Sequence, residues 1–168
     1  MPRVTFVKAA RKDNPVAKKG ESYYWWKFRY GGKRYSLTRP RPSQLTQSAY
    51  YGTIRSLVEQ IEDTPISTQD EYESLRDDIR DELQNLSEET QGSLDNMPDS
   101  LQYSPTGEML QERIDALDNA DSELDYIDII EEDDLDEGLD ETEIAEAILD
   151  WADSAKSDLI ETVANAEV

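Results

Sequence analysis

Apolar and aromatic residues alternate with polar ones near the start of the chain, and farther along they recur at every third or fourth position. Alternation predicts β-strands, and the wider spacing predicts amphipathic helices. The alternating segments are residues 3–8 and 22–38, whereas helical spacing begins over residues 43–62 and returns three times in the remainder. The pattern predicts an α+β protein, with a small three-stranded antiparallel sheet and a packed helix followed by about three acidic helices.

Residues 22–38, SYYWWKFRYGGKRYSLT, have the pattern of a β-hairpin closed by Gly31 and Gly32. A two-residue primed turn needs positive φ at its centre, which glycine supplies, and such a turn fixes the register of the strands. The pairs that follow are Tyr30 with Lys33, Arg29 with Arg34, Phe28 with Tyr35, Lys27 with Ser36, Trp26 with Leu37 and Trp25 with Thr38.

Successive side chains of each strand lie on opposite faces of the hairpin. The expected core face holds Tyr24, Trp26, Phe28, Tyr30, Tyr35 and Leu37. We expect the helix over residues 43–62 to cover that face, with Gly52 allowing a close approach to the tryptophans. The other face mixes aromatic, basic and hydroxyl side chains. Its candidate nucleic-acid-binding residues, with Lys33 beside them, are Tyr23, Trp25, Lys27, Arg29, Lys33, Arg34 and Ser36.

In this register Arg29 and Arg34 lie directly opposite each other, and like charges across a strand pair are destabilising. A face that combines such crowding with aromatic rings is typical of a sheet that binds a polyanion. The other interpretation is a solvated face whose arginines are neutralised by the chain's own acidic residues.

Charge divides the chain into two parts of opposite sign. Residues 1–58 contain 13 Lys and Arg against two acids, Asp13 and Glu21, for a net charge of +11. The remaining residues contain 4 basic and 37 acidic side chains, for −33, and the two parts add to the net charge of −22. The switch predicts two modules with different partners, a basic one over residues 1–62 and an acidic helical one over residues 63–168.

The order of strand, basic loop, aromatic hairpin YWWKFRYGGKRYSLT and polar-capped helix resembles the arm-type DNA-binding domain of phage and transposon integrases. The resemblance covers about residues 1–62. In that family a three-stranded sheet enters the DNA major groove and the following helix packs behind it. The residues that the resemblance implies in reading DNA are Trp25, Lys27, Arg29, Lys33, Arg34 and Ser36. A tyrosine recombinase also needs a catalytic domain with arginine, histidine and tyrosine. Because the chain contains no histidine, recombinase activity is not implied.

The acidic part predicts ordered helices. Thr68 with Glu71 and Asp140 with Glu143 have the spacing of capping boxes at helix starts. Between these pairs, residues 91–107 contain two glycines and two prolines among polar residues, which predicts a loop. The run over residues 128–140 is dense in acidic residues around Gly138. As a calcium-binding loop beginning at Asp133, however, it lacks two essential ligands.

Missing residue types exclude several chemistries. Without cysteine or histidine, the chain has no disulfide, no thiol nucleophile and neither of the side chains that most often bind transition metals. No nucleophile and base can be paired, so we expect no enzymatic activity, no cofactor and no metal site. No apolar run approaches the roughly 20 residues of a membrane span, and the start has no secretory signal. We therefore expect a cytoplasmic protein that does not bind membranes.

Two functions fit these observations. The first is a nucleic-acid-binding accessory or regulatory protein that uses the basic hairpin, on DNA rather than RNA. Its acidic helices would serve a protein partner, a second copy of the chain, or autoinhibition. The second is a DNA mimic or adaptor whose acidic helices inhibit a nucleic-acid-handling enzyme of a host, because ordered carboxylates can imitate the phosphate charge of a duplex. The integrase-like hairpin associates the protein with phages or mobile elements.

Overall fold

The computed structural model of the protein describes residues 1–127, 130 and 140–168, and these form two compact units. The first unit, Met1–Ser56, contains a three-stranded sheet, and the described part of the second, Leu57–Val168, is helical. The expected α+β class is therefore confirmed. The division between the units lies inside the helix Ala49–Asp63, a few residues before the boundary expected at residue 62.

Three short strands and five helices follow one another along the described chain. The strands are β1 Thr5–Val7, β2 Tyr23–Lys27 and β3 Lys33–Ser36. The helices are α1 Ala49–Asp63, α2 Gln69–Asp95, α3 Asp99–Gln102, α4 Pro105–Glu123 and α5 Glu141–Asn165. Short 3₁₀ turns at Pro42–Leu45 and Leu124–Tyr126 precede α1 and follow α4.

The sheet is antiparallel in the order β1-β2-β3, as expected, but the predicted register of the hairpin is wrong. Trp25 pairs with Tyr35 instead of Thr38, and Lys27 pairs with Lys33 instead of Ser36. The strands are thus shifted by three residues from the register of a Gly-Gly turn. Residues 28–32 form the connection, so the chain reverses over five residues instead of two.

The backbone explains this correction. Neither Gly31 nor Gly32 has a positive φ, and a primed two-residue turn requires that conformation. The glycine that does have a positive φ, +96°, is Gly20. It ends the basic loop over residues 9–21, where the amide of Gly20 donates to the carbonyl of Ala10 at 2.9 Å and the amide of Ala10 donates to the carbonyl of Glu21 at 2.8 Å. The loop before β2 is therefore an ordered reversal of the chain.

The core of the first unit is smaller than expected. Trp26 is 4% exposed and is buried in this unit, as are Tyr50 and Ile54 of α1. Tyr30, expected in the core, is 80% exposed, because it lies in the connection between the strands and not in a strand.

The helix expected over residues 43–62 begins at Ala49, after the 3₁₀ turn Pro42–Leu45. Gly52 does not mediate a close approach to the tryptophans. A Cβ built at Gly52 meets only the methyl group of Thr46, at 3.6 Å, which is an ordinary van der Waals contact.

The second unit buries the apolar stripes of its helices, and the predicted helix starts are confirmed. The buried side chains of α2 include Tyr72, Leu75, Ile79, Leu83 and Leu86, and those of α5 include Leu159 and Val163. Thr68 caps α2, since its hydroxyl accepts the amide of Glu71 at 3.2 Å. Asp140 caps α5 in a reciprocal box: its carboxylate accepts the amide of Glu143 at 3.0 Å, and the Glu143 carboxylate accepts the amide of Asp140 at 2.9 Å.

The loop expected over residues 91–107 is wrong, because most of that segment is helical. Helix α2 continues through Gly92 to Asp95, α3 follows, and α4 begins at Pro105. The two prolines lie at helix starts, Pro98 at the N-cap of α3 and Pro105 at the first turn of α4, where proline is compatible with helical geometry. The acidic run over residues 128–140 and the calcium-loop pattern at Asp133 and Gly138 lie outside the described residues, apart from Ile130 and Asp140.

Candidate nucleic-acid interface

The observed register changes which residues share a face of the sheet. Residues paired across antiparallel strands point to the same side. We call one side the Trp25 face, and it carries Thr5, Val7, Tyr23, Trp25, Lys27, Lys33 and Tyr35. The opposite side, the Trp26 face, carries Phe6, Tyr24, Trp26, Arg34 and Ser36.

Of the seven predicted binding residues, four lie together and three do not. Tyr23, Trp25, Lys27 and Lys33 share the Trp25 face. Arg34 and Ser36 lie on the Trp26 face, and Arg29 lies in the connection between β2 and β3. The strand shift of three residues, an odd number, moves every residue of β3 to the other side relative to β2. The same shift adds Tyr35, which was predicted for the core, to the Trp25 face.

Aromatic rings form the body of the Trp25 face. The rings of Tyr23 and Tyr35 are 6.1 Å apart between centroids and tilted by 41°. The ammonium of Lys33 lies 4.5 Å from the centre of the Trp25 ring, a cation–π contact that holds the charge above the sheet. All three rings are half-buried, whereas Lys27 and Lys33 are exposed. The Trp25 face therefore presents two exposed ammonium groups next to aromatic rings that are only partly exposed.

The two lysines of this face form the like-charge pair. The Arg29–Arg34 pair expected from the sequence is wrong, because Arg34 pairs with Trp26. Lys27 and Lys33 instead lie directly opposite each other at the end of the β2–β3 ladder. Neither forms a salt bridge with any described residue. The predicted crowding of positive charge is thus present at a different pair, and a bound anion would relieve it.

The connection between β2 and β3 adds an aromatic and basic tip. The guanidinium of Arg29 lies 5.2 Å from the centre of the Tyr30 ring, and both side chains are exposed. Sequence reasoning placed Tyr30 in the core because it assumed a strand up to Gly31. The sequence carries no signal that locates it outside, since Tyr30 continues the alternation of Tyr24, Trp26 and Phe28.

The two acidic residues of the first unit are bound to its own backbone. The carboxylate of Asp13 accepts the amide of Lys19 at 2.7 Å, and that of Glu21 accepts the amide of Lys18 at 2.7 Å. Both carboxylates therefore stabilise the basic loop over residues 9–21. With only these two acids in Met1–Ser56, the unit keeps a net charge of +11.

In the second unit the few basic side chains are committed to internal contacts. Arg80 pairs with Asp121 at 3.4 Å and also with Asp125. The ammonium of Lys156 donates to the backbone carbonyls of Glu62 at 2.9 Å and Thr64 at 2.7 Å, which lie at the end of α1 and just after it. Residues 59–168 contain four basic side chains against 37 acidic ones, so this part of the chain carries a large net negative charge.

Two further properties of the described residues bear on function. No group of three or more acidic side chains within residues 1–127, 130 and 140–168 is arranged to hold a metal ion. Across the same residues, every helix is too short or too polar to cross a bilayer.

Tyr72 is a core residue of the second unit. Burial raises the pKa of its hydroxyl to about 12, and its ring packs edge-on against that of Trp151, with 5.3 Å between the ring centroids.

Comparison with protein families, with curated proteins and with solved structures gives no match to this chain. The resemblance to arm-type DNA-binding domains therefore stays a prediction.

Proposed function

We propose that the protein is a non-enzymatic nucleic-acid-binding accessory or regulatory protein that contacts the phosphate backbone with its Trp25 face. The observation that carries the proposal is the directly opposed pair Lys27 and Lys33, exposed beside half-buried aromatic rings and without a carboxylate partner among the described residues. Natural sheets avoid like charges at such positions unless something compensates them. A row of phosphates supplies that compensation.

Charge and aromatic content favour nucleic acid over a small anion. The unit's net charge of +11 extends the positive potential beyond the two lysines, and phosphate contacts by several cations give most of the affinity of non-specific binding. Rings such as Tyr23 and Tyr35 offer apolar surface to sugars and bases. DNA rather than RNA, a cytoplasmic location and a phage or mobile-element origin complete the proposal, and they rest on the resemblance of the hairpin to integrase arm domains.

The acidic unit has a separate role in this proposal. Its helices bind a basic protein partner, bind a second copy of the chain, or lower the affinity of the basic unit for nucleic acid. The support for a dedicated surface is that the carboxylates lie on capped, packed helices, as at Thr68 and Asp140, and not on an unstructured tail.

A second candidate function has its own supporting observation. Because Arg80 and Lys156 are used inside the unit, the negative charge of the helices is left for a partner. An ordered surface of this kind suits a DNA mimic or adaptor that occupies the nucleic-acid channel of an enzyme and inhibits it. Inhibition of a DNA nuclease by the full chain, relieved by charge-reducing substitutions on α2 but not by Lys27→Ala, would favour this function.

The experiment for the main proposal is a titration of the full chain with labelled duplex DNA at several salt concentrations. We expect binding that weakens with salt. The Lys27→Ala/Lys33→Ala double variant should lower the slope of log affinity against log salt by about two, since each phosphate contact contributes about 0.9. A Lys12→Ala/Lys18→Ala variant removes the same charge from the basic loop and serves as the matched control, with a much smaller expected change. Absence of binding by the unmodified chain at low salt would refute the proposal.

A further inference from the structure

A pocket of about 340 Å³ opens beside the Trp26 face, at the start of the connection between β2 and β3. Its lining residues are Trp26, Phe28, Arg34, Tyr35, Gln44 and Thr46. The volume lies within the range of about 300–1,000 Å³ that is usual for small-molecule sites. Three of the six lining residues are aromatic and one is an arginine, so the walls suit a flat ring.

Hydrogen bonding within the protein leaves this pocket with donors. The side-chain oxygen of Gln44 accepts the amide of Arg41 at 3.1 Å, so the Gln44 amide nitrogen keeps two hydrogens to donate. The hydroxyl of Thr46 accepts the amide of Ser48 at 3.2 Å, so its own hydrogen is available as well. The guanidinium of Arg34 forms no salt bridge with a described residue and contributes further donors.

Trp26, which lines the pocket, has an unpartnered polar group of its own. It is 4% exposed, and its indole N–H is buried without a hydrogen-bond partner among the described residues. A buried donor without a partner is costly and is rare in folded proteins. Aromatic walls with donors and few acceptors are complementary to a flat ring that carries carbonyl or ring-nitrogen acceptors.

A second depression, of about 570 Å³, adjoins the pocket and shares Phe28 and Thr46 with it. Lys27 and Arg29 line this second depression. A nucleotide whose base occupies the pocket would therefore have cations within reach of its neighbouring phosphates. The two depressions together have the organisation of a site for an unstacked nucleotide: a ring-shaped recess and a basic flank.

We propose that this pocket receives one unpaired nucleobase that carries carbonyl acceptors and no exocyclic amino group, namely thymine or uracil in preference to adenine, cytosine or guanine. The inference rests on the proposed function, since it names the part of a nucleic acid that the same unit recognises. Adenine, cytosine and guanine present exocyclic amino groups, which are donors and would oppose the donors of Gln44 and Arg34. The protein would thus select sites where a base is already unpaired, because extruding a paired base costs free energy.

The test uses the full chain and labelled DNA duplexes that are identical except for one bulged nucleotide, with a fully paired duplex as reference. We expect the bulged dT duplex to bind about tenfold or more tightly than bulged dA, bulged dC, bulged dG or paired duplex. Gln44→Glu keeps the acceptor for the Arg41 amide but replaces the donor with a carboxylate. It should abolish the preference for dT, whereas Gln60→Glu, the same charge change at an exposed position of α1, should retain it.

A second variant separates stacking from hydrogen bonding. Phe28→Ala should lower the affinity for all four bulged duplexes and leave that for the paired duplex nearly unchanged. Equal affinity of the unmodified chain for paired and bulged duplexes would overturn the pocket inference while leaving the proposed function standing. Absence of binding to every duplex would overturn both.

Discussion

The opposed pair Lys27 and Lys33 makes a prediction in which stability and binding change in opposite directions. Lys27→Glu turns a like-charge pair at the end of the β2–β3 ladder into an opposite-charge pair. Cross-strand pairs contribute about 0.2–1 kcal/mol, so exchanging repulsion for attraction should stabilise the first unit by about 0.5–1 kcal/mol at low salt. For a domain of about 60–100 residues, 1 kcal/mol moves the melting temperature by about 4–8 °C, so we expect an increase of about 2–8 °C.

Tryptophan fluorescence can follow this unit alone. Trp25 and Trp26 lie in Met1–Ser56, whereas Trp151 lies in the other unit. In a Trp151→Phe background, the remaining emission reports on the basic unit. Its melting temperature is then compared between the chain with Lys27 and the Lys27→Glu variant. Binding of the same variant to duplex DNA should weaken, and its salt slope should fall by about one because a phosphate contact is lost.

Salt provides the internal control for this reasoning. The screening length falls from about 10 Å at 0.1 M to about 3 Å at 1 M salt, so the stability difference should largely disappear at high salt. Lys12→Glu makes the same charge change in the basic loop and should stabilise the unit less. A lower melting temperature for Lys27→Glu, or a gain that is unchanged at 1 M salt, would refute the claim that these lysines repel each other across the ladder.

Three further predictions concern the helices. Gly92→Ala should stabilise the second unit by about 1 kcal/mol, because a Cβ there meets nothing within 4 Å and alanine is the better helix former. Gly107→Ala should destabilise the same unit, because its Cβ would lie 2.0 Å from the carbonyl oxygen of Gln102. Backbone hydrogen bonds from the first turn of α5 lower the pKa of Asp140. Its stabilising contribution is therefore present above the unfolded pKa and is lost as pH falls through the lower folded pKa, and Asp140→Asn should remove that part of the acid sensitivity. Lys156→Met should cost about 0.5–1.5 kcal/mol, because the carbonyls of Glu62 and Thr64, at the end of α1 and just after it, lose their donor.

Urea unfolding monitored by circular dichroism measures all of these changes, with the Asp140 comparison repeated between about pH 2 and 6. The glycine pair is its own control, since both variants add one methyl group. Equal effects of the two would contradict the close approach at Gly107. An acid sensitivity of Asp140→Asn that equals that of the unmodified chain would contradict the capping role, and an unchanged midpoint for Lys156→Met would show that solvent replaces its hydrogen bonds.

Local chemistry explains which features were predictable from the sequence. The caps at Thr68 and Asp140 depend on residues three apart, and both were found where the spacing predicted. The assignment of the β2 residues to two faces was also correct, because the alternation of side chains depends on one strand alone and not on its pairing. The loop expected over residues 91–107 failed because Gly92 costs a helix only about 1 kcal/mol, which the burial of Leu94 in the same helix can offset.

The pairing between β2 and β3 could not be derived in the same way. It depends on the conformation of the connection, and the Gly31-Gly32 dipeptide is compatible with a two-residue turn as well as with part of a five-residue one. An error of three residues in the register assigns every residue of β3 to the wrong face. In the observed register Arg34 lies on the face opposite Lys27, and Tyr35 lies on the same face as Lys27. The proposed surface therefore kept its chemical character while losing three of its predicted members.

The contact between Lys156 and the end of α1 joins residues 94 and 92 positions apart in the sequence, at Glu62 and Thr64. During synthesis, domains fold as units from the N-terminal side. The Met1–Ser56 unit therefore folds before Lys156, which contacts the end of α1, has been synthesised. Over that interval residues 1–58 carry +11, whereas residues 1–168 together carry −22. As translation proceeds through the acidic helices, the net charge that this stretch presents to the ribosome, a particle rich in RNA, changes from positive to negative.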